Sequence, residues 1–454
     1  MKSASGMLLR LFLAGAVVLA AIATALVFTG VVPPYYARKF SDEDYGPPAP
    51  GYRFVSFDDI PGWRQDDPTL ALEAFVRSCA RFEAQGSTAP ANPMENLNLS
   101  DPSVTFSGTV ADWLRPCAEA RALIVSAYAD PANRRGAFRS FFEFHFQPVE
   151  LFSVRDPLPD GRARRAGPRV DREGTFTGYF EPVYHASHEA TRTHTAPVLP
   201  RPDDLVEVDL GLFRDELKGE RIAGRVEAGR LHPYEARSGI ESHAVPNALA
   251  WLDPNDLFFL QIQGSGRLVF DDGGVMRVGY AGQNGHPYTA IGRVLVERGA
   301  MPLEEVTMQS IRAWLADAPA DAAEEVRDEN ASYVFFRRLD AVDPALGPLG
   351  AQGAPLTPGR SLAVDRRYHT LGAPVWVDIE PVSGVDGGKP IRRLLIAQDT
   401  GGAIKGPLRG DVFWGSGEEA AVIAGAMNAR GSMTVLLPRR LAERLPANPG
   451  EIRL

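Results

Sequence analysis

The stretch QDTGGAIKGPLRGD, Gln398 to Asp411, sets Asp399 and Asp411 on either side of a glycine-rich loop that carries one lysine, Lys405. A glycine-rich loop with a lysine can cradle phosphate, but a Walker A loop places the lysine after its last glycine, before Ser or Thr. Here Lys405 precedes Gly406 and Pro407, so the match fails. Asp365, Asp399 and Asp411 could share a hard cation, yet such a site draws on about six or more oxygens, and no EF-hand run is present. The histidines show no HExxH spacing and the two cysteines no CxxC, so no metal or other cofactor is expected. His232 and His286 each open a His-Pro-Tyr triplet, which reads as a turn with the imidazole at the surface or hydrogen-bonded to backbone. The GSG at Gly264–Gly266 lacks the spacing of a serine nucleophile elbow and reads as a close backbone approach.

What remains is a carboxylic acid on a strand–loop–strand frame. RLLIAQD delivers Asp399 at the end of an apolar strand, and DVFWGSG returns with Asp411 beside Phe413 and Trp414. A carboxyl group beside apolar rings is poorly solvated, which raises its pKa and keeps a proton available at neutral pH. An ionised Asp399 would push the same way, and Lys405 would oppose it. On spacing alone, an aspartate that merely caps a turn is the commoner situation.

The elements around this frame divide by character. The 454 residues, 44% hydrophobic, suffice for two or three domains, and 44 glycines with 37 prolines point to many short strands. A net charge of −9 gives no sign of a polyanionic partner and disfavours nucleic acid. LALEAFVRSCARFEA, AEARALIVSAYA and PANRRGAFRSFFEFHF read as helices; residues 155–172, rich in Arg, Pro and Gly, read as a solvated loop. From Gly174 the pattern alternates as strands, and Leu257 to Gly282 reads as successive strands broken by Gly-Ser-Gly and a DDGG turn. YTAIGRVLVERG and MQSIRAWLADAP read as helices. Residues 343–360 have linker composition, followed by strands SLAVD, APVWVDIEPV, RLLIAQD and SMTVLLP with a short helix, GEEAAVIAGAM. A mainly β fold with some helices is the expectation.

The N-terminus supplies an address. Lys2 and Arg10 precede an uncharged run from Leu11 to Val32, long enough to span a bilayer. It reads as an uncleaved membrane anchor with the bulk of the chain exported; the small residues at Ala21–Ala25 keep a cleaved signal peptide as the alternative. No cysteine lies near the end of this run to accept a lipid, and residues 41–50 read as a tether. In an oxidising compartment Cys79 and Cys117 read as one disulfide, with two separate buried thiols as the alternative.

The blocks TGYFEP, LFFLQIQGSGRL, VGYAGQNGHPY, NASYVFFR, LAVDRRYHTLGAPVWV and IAQDTGGAIKGPLRGDVFWGSG occur in one order between about Gly174 and Pro438. In these the chain resembles the membrane-bound lytic murein transglycosylase A family, with its C-terminal three-aspartate domain. The resemblance implies a double-psi β-barrel, residues 51–181 plus 346–454, interrupted by a smaller inserted β-barrel, residues 182–345, with a glycan groove between them. It implies non-hydrolytic cleavage of the β-1,4 MurNAc–GlcNAc bond of peptidoglycan at the periplasmic face of the inner membrane, and no cofactor. Asp411 matches the catalytic acid, with Asp399 in support. Asp365, Lys405, Thr177, Gly178, Tyr179, Gln261, Gln263, Gly264, Ser265 and Gly266 would bind substrate. A hydrolase of the same glycan would need a second carboxyl across the groove, with Glu181 or Asp271 as candidates. A wall-binding module without activity is the alternative of a different class.

Overall fold

A computed structural model describes residues 44–95, 105–128, 130–159, 167–217, 221–242, 247–339, 343, 346–446 and 452–453. The anchor expected at Leu11–Val32 lies outside them. Among the described residues no helix is long and apolar enough to cross a membrane.

The first helices form as their apolar periodicity predicts. In α1 (Thr69–Glu83), Leu72, Phe75, Cys79 and Phe82 recur at helical spacing and are buried. The next helix, α2 (Val110–Ala127), starts eight residues before the expected Ala118 and carries Pro116 within it. Its start is fixed by Asp112, whose carboxylate accepts from the Thr109 N–H at 2.9 Å. α3 (Arg134–His145) buries Phe138, Phe141 and Phe142. Cys79 and Cys117 are bonded, with Cα atoms 5.4 Å apart, and tie α1 to α2.

Two strands, β1 (Phe146–Arg155) and β2 (Gly174–Glu181), then begin a sheet that the chain leaves and later rejoins. Between visits it builds a second layer: β3 (Val183–Ala186), α4 (Pro254–Gln263), β4 (Ser265–Phe270), β5 (Val275–Gln283) and β6 (Val334–Leu339). The four strands form one sheet in the order β6–β5–β4–β3, with β4 parallel to β3 and the other pairs antiparallel. Its core includes Tyr184, Phe258, Leu260, Leu268, Val278 and Phe336.

The helix α4 corrects the expectation of a strand over LFFLQIQ. Asp253 caps it by accepting from the Asn255 N–H at 2.8 Å, and Pro254 is its first residue. Gly264, at φ 75°, closes it by donating to the Leu260 carbonyl at 2.9 Å. Leu257, Phe258, Phe259 and Leu260 are all buried, so the apolar run has no one-sided pattern and periodicity cannot separate helix from strand.

The chain returns through β7 (Ser361–Val364), β8 (Pro374–Ile379), β9 (Ile391–Asp399), β10 (Gly410–Ser416), α5 (Glu418–Ala426) and β11 (Asn428–Pro438). The pairings run β8–β9–β7–β10–β2–β11 and back to β8, a closed ring of six strands. Closure removes the free edges that an open sheet would expose. Pairs β7–β9 and β10–β2 are parallel. Phe75, Trp113, Phe146, Phe176, Trp376, Leu395 and Leu436 belong to one core, so the three helices and the ring are packed as a single body.

Residues 44–49 with Ser153–Asp171 make a separate compact unit, in which Arg169–Asp171 pairs antiparallel with Ser153–Arg155. Part of the segment expected to be a solvated loop is therefore strand.

The disulfide closes a loop of 38 residues, which in the chain-entropy account limits the unfolded state by about 4 kcal/mol. Replacing both cysteines by alanine is expected to lower the unfolding free energy by about 2–4 kcal/mol in urea titrations. An unchanged midpoint would contradict a stabilising bridge.

Candidate active site

Strand register assembles the site. Ala363 on β7 pairs with Asp399 on β9 on one side and with Asp411 on β10 on the other. Asp411 pairs in turn with Thr177 on β2, and Thr177 with Asn428 on β11. One transverse row thus reads Asp399, Ala363, Asp411, Thr177, Asn428. Adjacent strands are about 4.8 Å apart, so the two aspartate Cα atoms are separated by roughly 10 Å across a residue with only a methyl side chain.

The two carboxyls are treated differently by their neighbours. Thr177 Oγ1 donates to Asp411 Oδ1 at 2.7 Å, and Arg409 Nη2 donates to Thr177 Oγ1 at 2.8 Å. A guanidinium only donates, so Thr177 receives from Arg409 and has its single proton left for Asp411. Among the described residues nothing donates to Asp411 Oδ2, and that oxygen is where a proton can sit. Asp399 has no such vacancy. Its Oδ1 accepts from the Ala351 N–H at 2.8 Å and the Thr400 N–H at 2.9 Å, and its Oδ2 from the Tyr179 hydroxyl at 2.9 Å.

Burial pushes the Asp411 carboxyl above the usual carboxylate range; the Thr177 hydrogen bond and the Arg409 charge oppose this, and the Asp399 charge adds to it. Asp399 is also raised by burial, against its three donors. Tyr179 lies well above its ordinary value because it is buried and faces Asp399, so its hydroxyl stays a donor. The basic neighbour of Asp411 is therefore Arg409, whereas Lys405 is exposed.

Loop 400–409 is held from beneath. Asp365 is buried and accepts from the Gly406 N–H at 2.8 Å and from Arg367 Nη2 at 2.6 Å. His369, also buried, donates through Nε2 to the Pro407 carbonyl at 2.9 Å, and burial pushes its pKa down to about 4, keeping it neutral. Asp365, expected to bind substrate, is thus spent on the loop. His286 similarly donates to the Tyr234 carbonyl at 2.8 Å, so one His-Pro-Tyr triplet reaches the other.

A cleft of about 850 Å³ opens beside the row, lined by Gly178, Tyr179 and Asp399 from the ring and by Gln263, Gly264, Ser265, Tyr280 and Arg337 from the second layer. Gly178 is needed there, since a Cβ would lie 2.8 Å from the Ala424 backbone of α5 and from the Trp414 ring. Thr177 and Asp411 are half-buried in the row beside it and are not among these lining residues. Gln261 and Gly266 do not reach it: Gln261 is buried on α4, and a Cβ at Gly266 would press on Leu260 and Tyr184. Lys405 is not part of the lining either.

The two layers are joined by a buried charge cluster. Glu181, 3% exposed, accepts from Arg277 Nε at 2.7 Å, Arg267 Nη2 at 3.0 Å and Ser416 Oγ at 2.6 Å. Both arginines also donate to the Leu346 carbonyl, where the chain comes back. Glu181 therefore has no oxygen left for chemistry. Asp271 is exposed in the turn beyond Phe270, at the end of β4 remote from Ser265. Arg409, Ala351 and Arg337 were not found by sequence reasoning. The register of Asp411 with Thr177 would have pointed to Arg409, but nothing local marks Ala351 or Arg337. Among the described residues no cluster of His, Cys, Asp or Glu is placed to hold a metal ion.

Fold and site together define a sheet-rich protein with a six-stranded ring, an inserted second layer and two unlike aspartates at the cleft between them. Residues 175–337 match the MltA specific insert domain and residues 360–437 the 3D domain. The membrane-bound lytic murein transglycosylase A of Vibrio cholerae is 31% identical over 264 residues, 56% of this chain and 63% of that protein. Two crystal structures are similar over 87% of this chain: a membrane-bound lytic murein transglycosylase from Agrobacterium tumefaciens (32% identity, 99% of that chain, TM-score 0.63) and MltA from Neisseria gonorrhoeae (30%, 93%, 0.68). The chain belongs to the membrane-bound lytic murein transglycosylase A family, and it spans just under two thirds of the Vibrio relative's length.

Two outcomes are expected here. Thr177→Val removes a bond that favours ionised Asp411, so the Asp411 carboxyl, followed by carbon NMR, should titrate at higher pH; an unmoved or lower midpoint contradicts the assignment. Arg277→Met leaves Glu181 under-compensated and should cost about 3–5 kcal/mol in chemical denaturation.

Proposed function

We propose that the chain is a lytic murein transglycosylase, cleaving the β-1,4 MurNAc–GlcNAc bond of peptidoglycan without water and leaving 1,6-anhydro-MurNAc ends. The observation that carries this reading is the unequal satisfaction of the two aspartates: among the described residues Asp411 keeps one oxygen unengaged, while Asp399 has both occupied. Asp411, protonated on Oδ2, donates to the glycosidic oxygen as the C1–O bond breaks. The resulting carboxylate takes the proton of the C6 hydroxyl as that oxygen bonds to C1, and the acid is regenerated. One carboxyl serves both steps. Hydrolysis needs a second carboxyl across the cleft to activate water, and Glu181 is locked in its ion cluster.

Asp399 acts as support: its charge raises Asp411, and Tyr179 keeps it oriented. Tyr179, Gly178, Gln263, Gly264 and Ser265 line the path of the glycan. Thr177 and Arg409 position Asp411. In this reading the ring is a double-psi β-barrel of residues 51–181 and 346–454 with residues 182–345 inserted. The protein is held by its N-terminal helix at the periplasmic face of the inner membrane.

Asp411→Asn and Asp399→Asn are to be assayed on isolated sacculi with mass detection of products. Asp411→Asn should lose nearly all anhydro product while folding normally. Asp399→Asn should retain a measurable fraction. Full activity of Asp411→Asn, or reducing ends in place of anhydro ends from the unaltered protein, would sink the proposal.

A further inference from the structure

The charged side chains lining the cleft are Glu181, Asp399 and Arg337. The two acids are accounted for by Arg267 and Arg277 and by the Ala351, Thr400 and Tyr179 donors. Arg337 is different. It lies on β6 opposite Gly279, is exposed to the cleft, and has no carboxylate, carbonyl or aromatic partner among the described residues. β6 buries Phe335 and Phe336 in two cores and then exposes Arg337 and Arg338, so the strand is anchored just before the point where Arg337 meets the cleft. Gly279 across the ladder offers no side chain that would cover it.

An unpaired guanidinium on a strand at the wall of a polar cleft is a receptor for a planar anion, because its fork of donors matches a carboxylate in two parallel hydrogen bonds. We infer that Arg337 forms a carboxylate subsite of the cleft, and that the ligand it selects is an acidic glycan. This rests on the proposed glycan substrate and adds what part of it is read. In a murein strand, carboxylates come from two sources: the lactyl ether of an unsubstituted muramic acid, or the peptide stem joined to that ether. Uncharged N-acetylglucosamine oligomers present neither. Arg337 thus separates wall glycan from chitin-type glycan, which the neutral side chains of Gln263 and Ser265 in the same lining cannot do.

The test measures binding, so it does not depend on turnover. Full-length Asp411→Asn protein, with and without Arg337→Gln or Arg337→Lys, is titrated with three soluble probes: peptide-bearing murein glycan fragments, the same fragments stripped of peptide, and chitohexaose. Arg337→Gln should weaken binding of at least one acidic probe by about 10- to 100-fold, the range for a charge-assisted hydrogen bond. Chitohexaose affinity and the melting temperature should stay within twofold and one or two degrees. The acidic probe that responds identifies the source, and Arg337→Lys should recover part of the loss by charge. Equal loss for all three probes, or no loss for any, overturns the subsite. If the Arg337-containing protein binds none of the probes and the unaltered chain releases no muropeptide, it is the proposed function that fails.

Discussion

Glu181 is the point on which the arrangement turns. A carboxylate removed from water costs several kcal/mol, and the cost is recovered only when opposite charge and hydrogen bonds replace the lost solvent. Arg267, Arg277 and Ser416 do so here, and each comes from a different strand: β4, β5 and β10. Glu181 ends the strand by which the chain leaves the ring, and Leu346, whose carbonyl takes the remaining guanidinium donors, marks its return. One desolvated cluster therefore pins both crossings. The cleft wall carrying Ser265 and Tyr280 is built on the same strands as the two arginines, and Arg337 stands on the strand paired with the second of them, so the wall is tied to Asp399's side of the cleft by ionic contacts as well as by the connecting chain.

The closed ring fixes the chemistry in the same way. Asp399 and Asp411 are twelve positions apart in the chain, yet register, not the intervening loop, determines their spacing. Ala363 between them matters by being small: a larger side chain in that row would stand between the carboxyls and shield one from the other. Direction is then decided by donors. Arg409 can only donate, which obliges Thr177 to donate to Asp411 and leaves one oxygen for a proton. Three donors on Asp399 do the opposite and favour its anion. Two identical side chains acquire different roles because their hydrogen-bond partners differ, not because their burial does.

Much of this was legible in the sequence, and the limits are physical. Alternation identified β2 and β7 to β11, and helical spacing identified α1 and α3. Aromatic neighbours correctly suggested a raised Asp411, but the opposing cation is Arg409 rather than Lys405, because strand pairing turns Arg409 toward Thr177 while Lys405 rides an exposed loop. Helix α4 was read as strand because a segment buried all round carries no period. Its cap residues, Asp253-Pro254 and Gly264, were the available signal. The helix also turns Gln261 inward, away from the residues that line the cleft, while Gly266 on β4 faces Leu260 and Tyr184. Asp365 belongs to the same aspartate pattern as the other two, but one register step along, beyond Val364, its carboxylate meets the Gly406 amide instead of the cleft.

Burial disfavours the Asp399 anion whose charge raises Asp411, so donors must hold that anion in place. The scaffold below Asp399 supplies the restraint. Gln398, fully buried, donates to the Ala74 carbonyl at 3.1 Å and to Ser78 Oγ at 2.9 Å on α1, and accepts from Ser361 at 2.5 Å. Arg77 of α1 reaches Thr357 at 2.5 Å and Arg81 reaches the Gly353 carbonyl, holding the loop that brings the Ala351 amide to Asp399. The helix that does this is the one cross-linked through Cys79. Covalent and hydrogen-bonded restraint therefore converge, through a single helix, on the strand end where Asp399 stands. If α1 shifted, Asp399 would lose its Ala351 donor, its anion would be less favoured, and its charge would raise Asp411 less. Helix α1 is in that sense part of the surroundings of both aspartates, although none of its side chains lines the cleft.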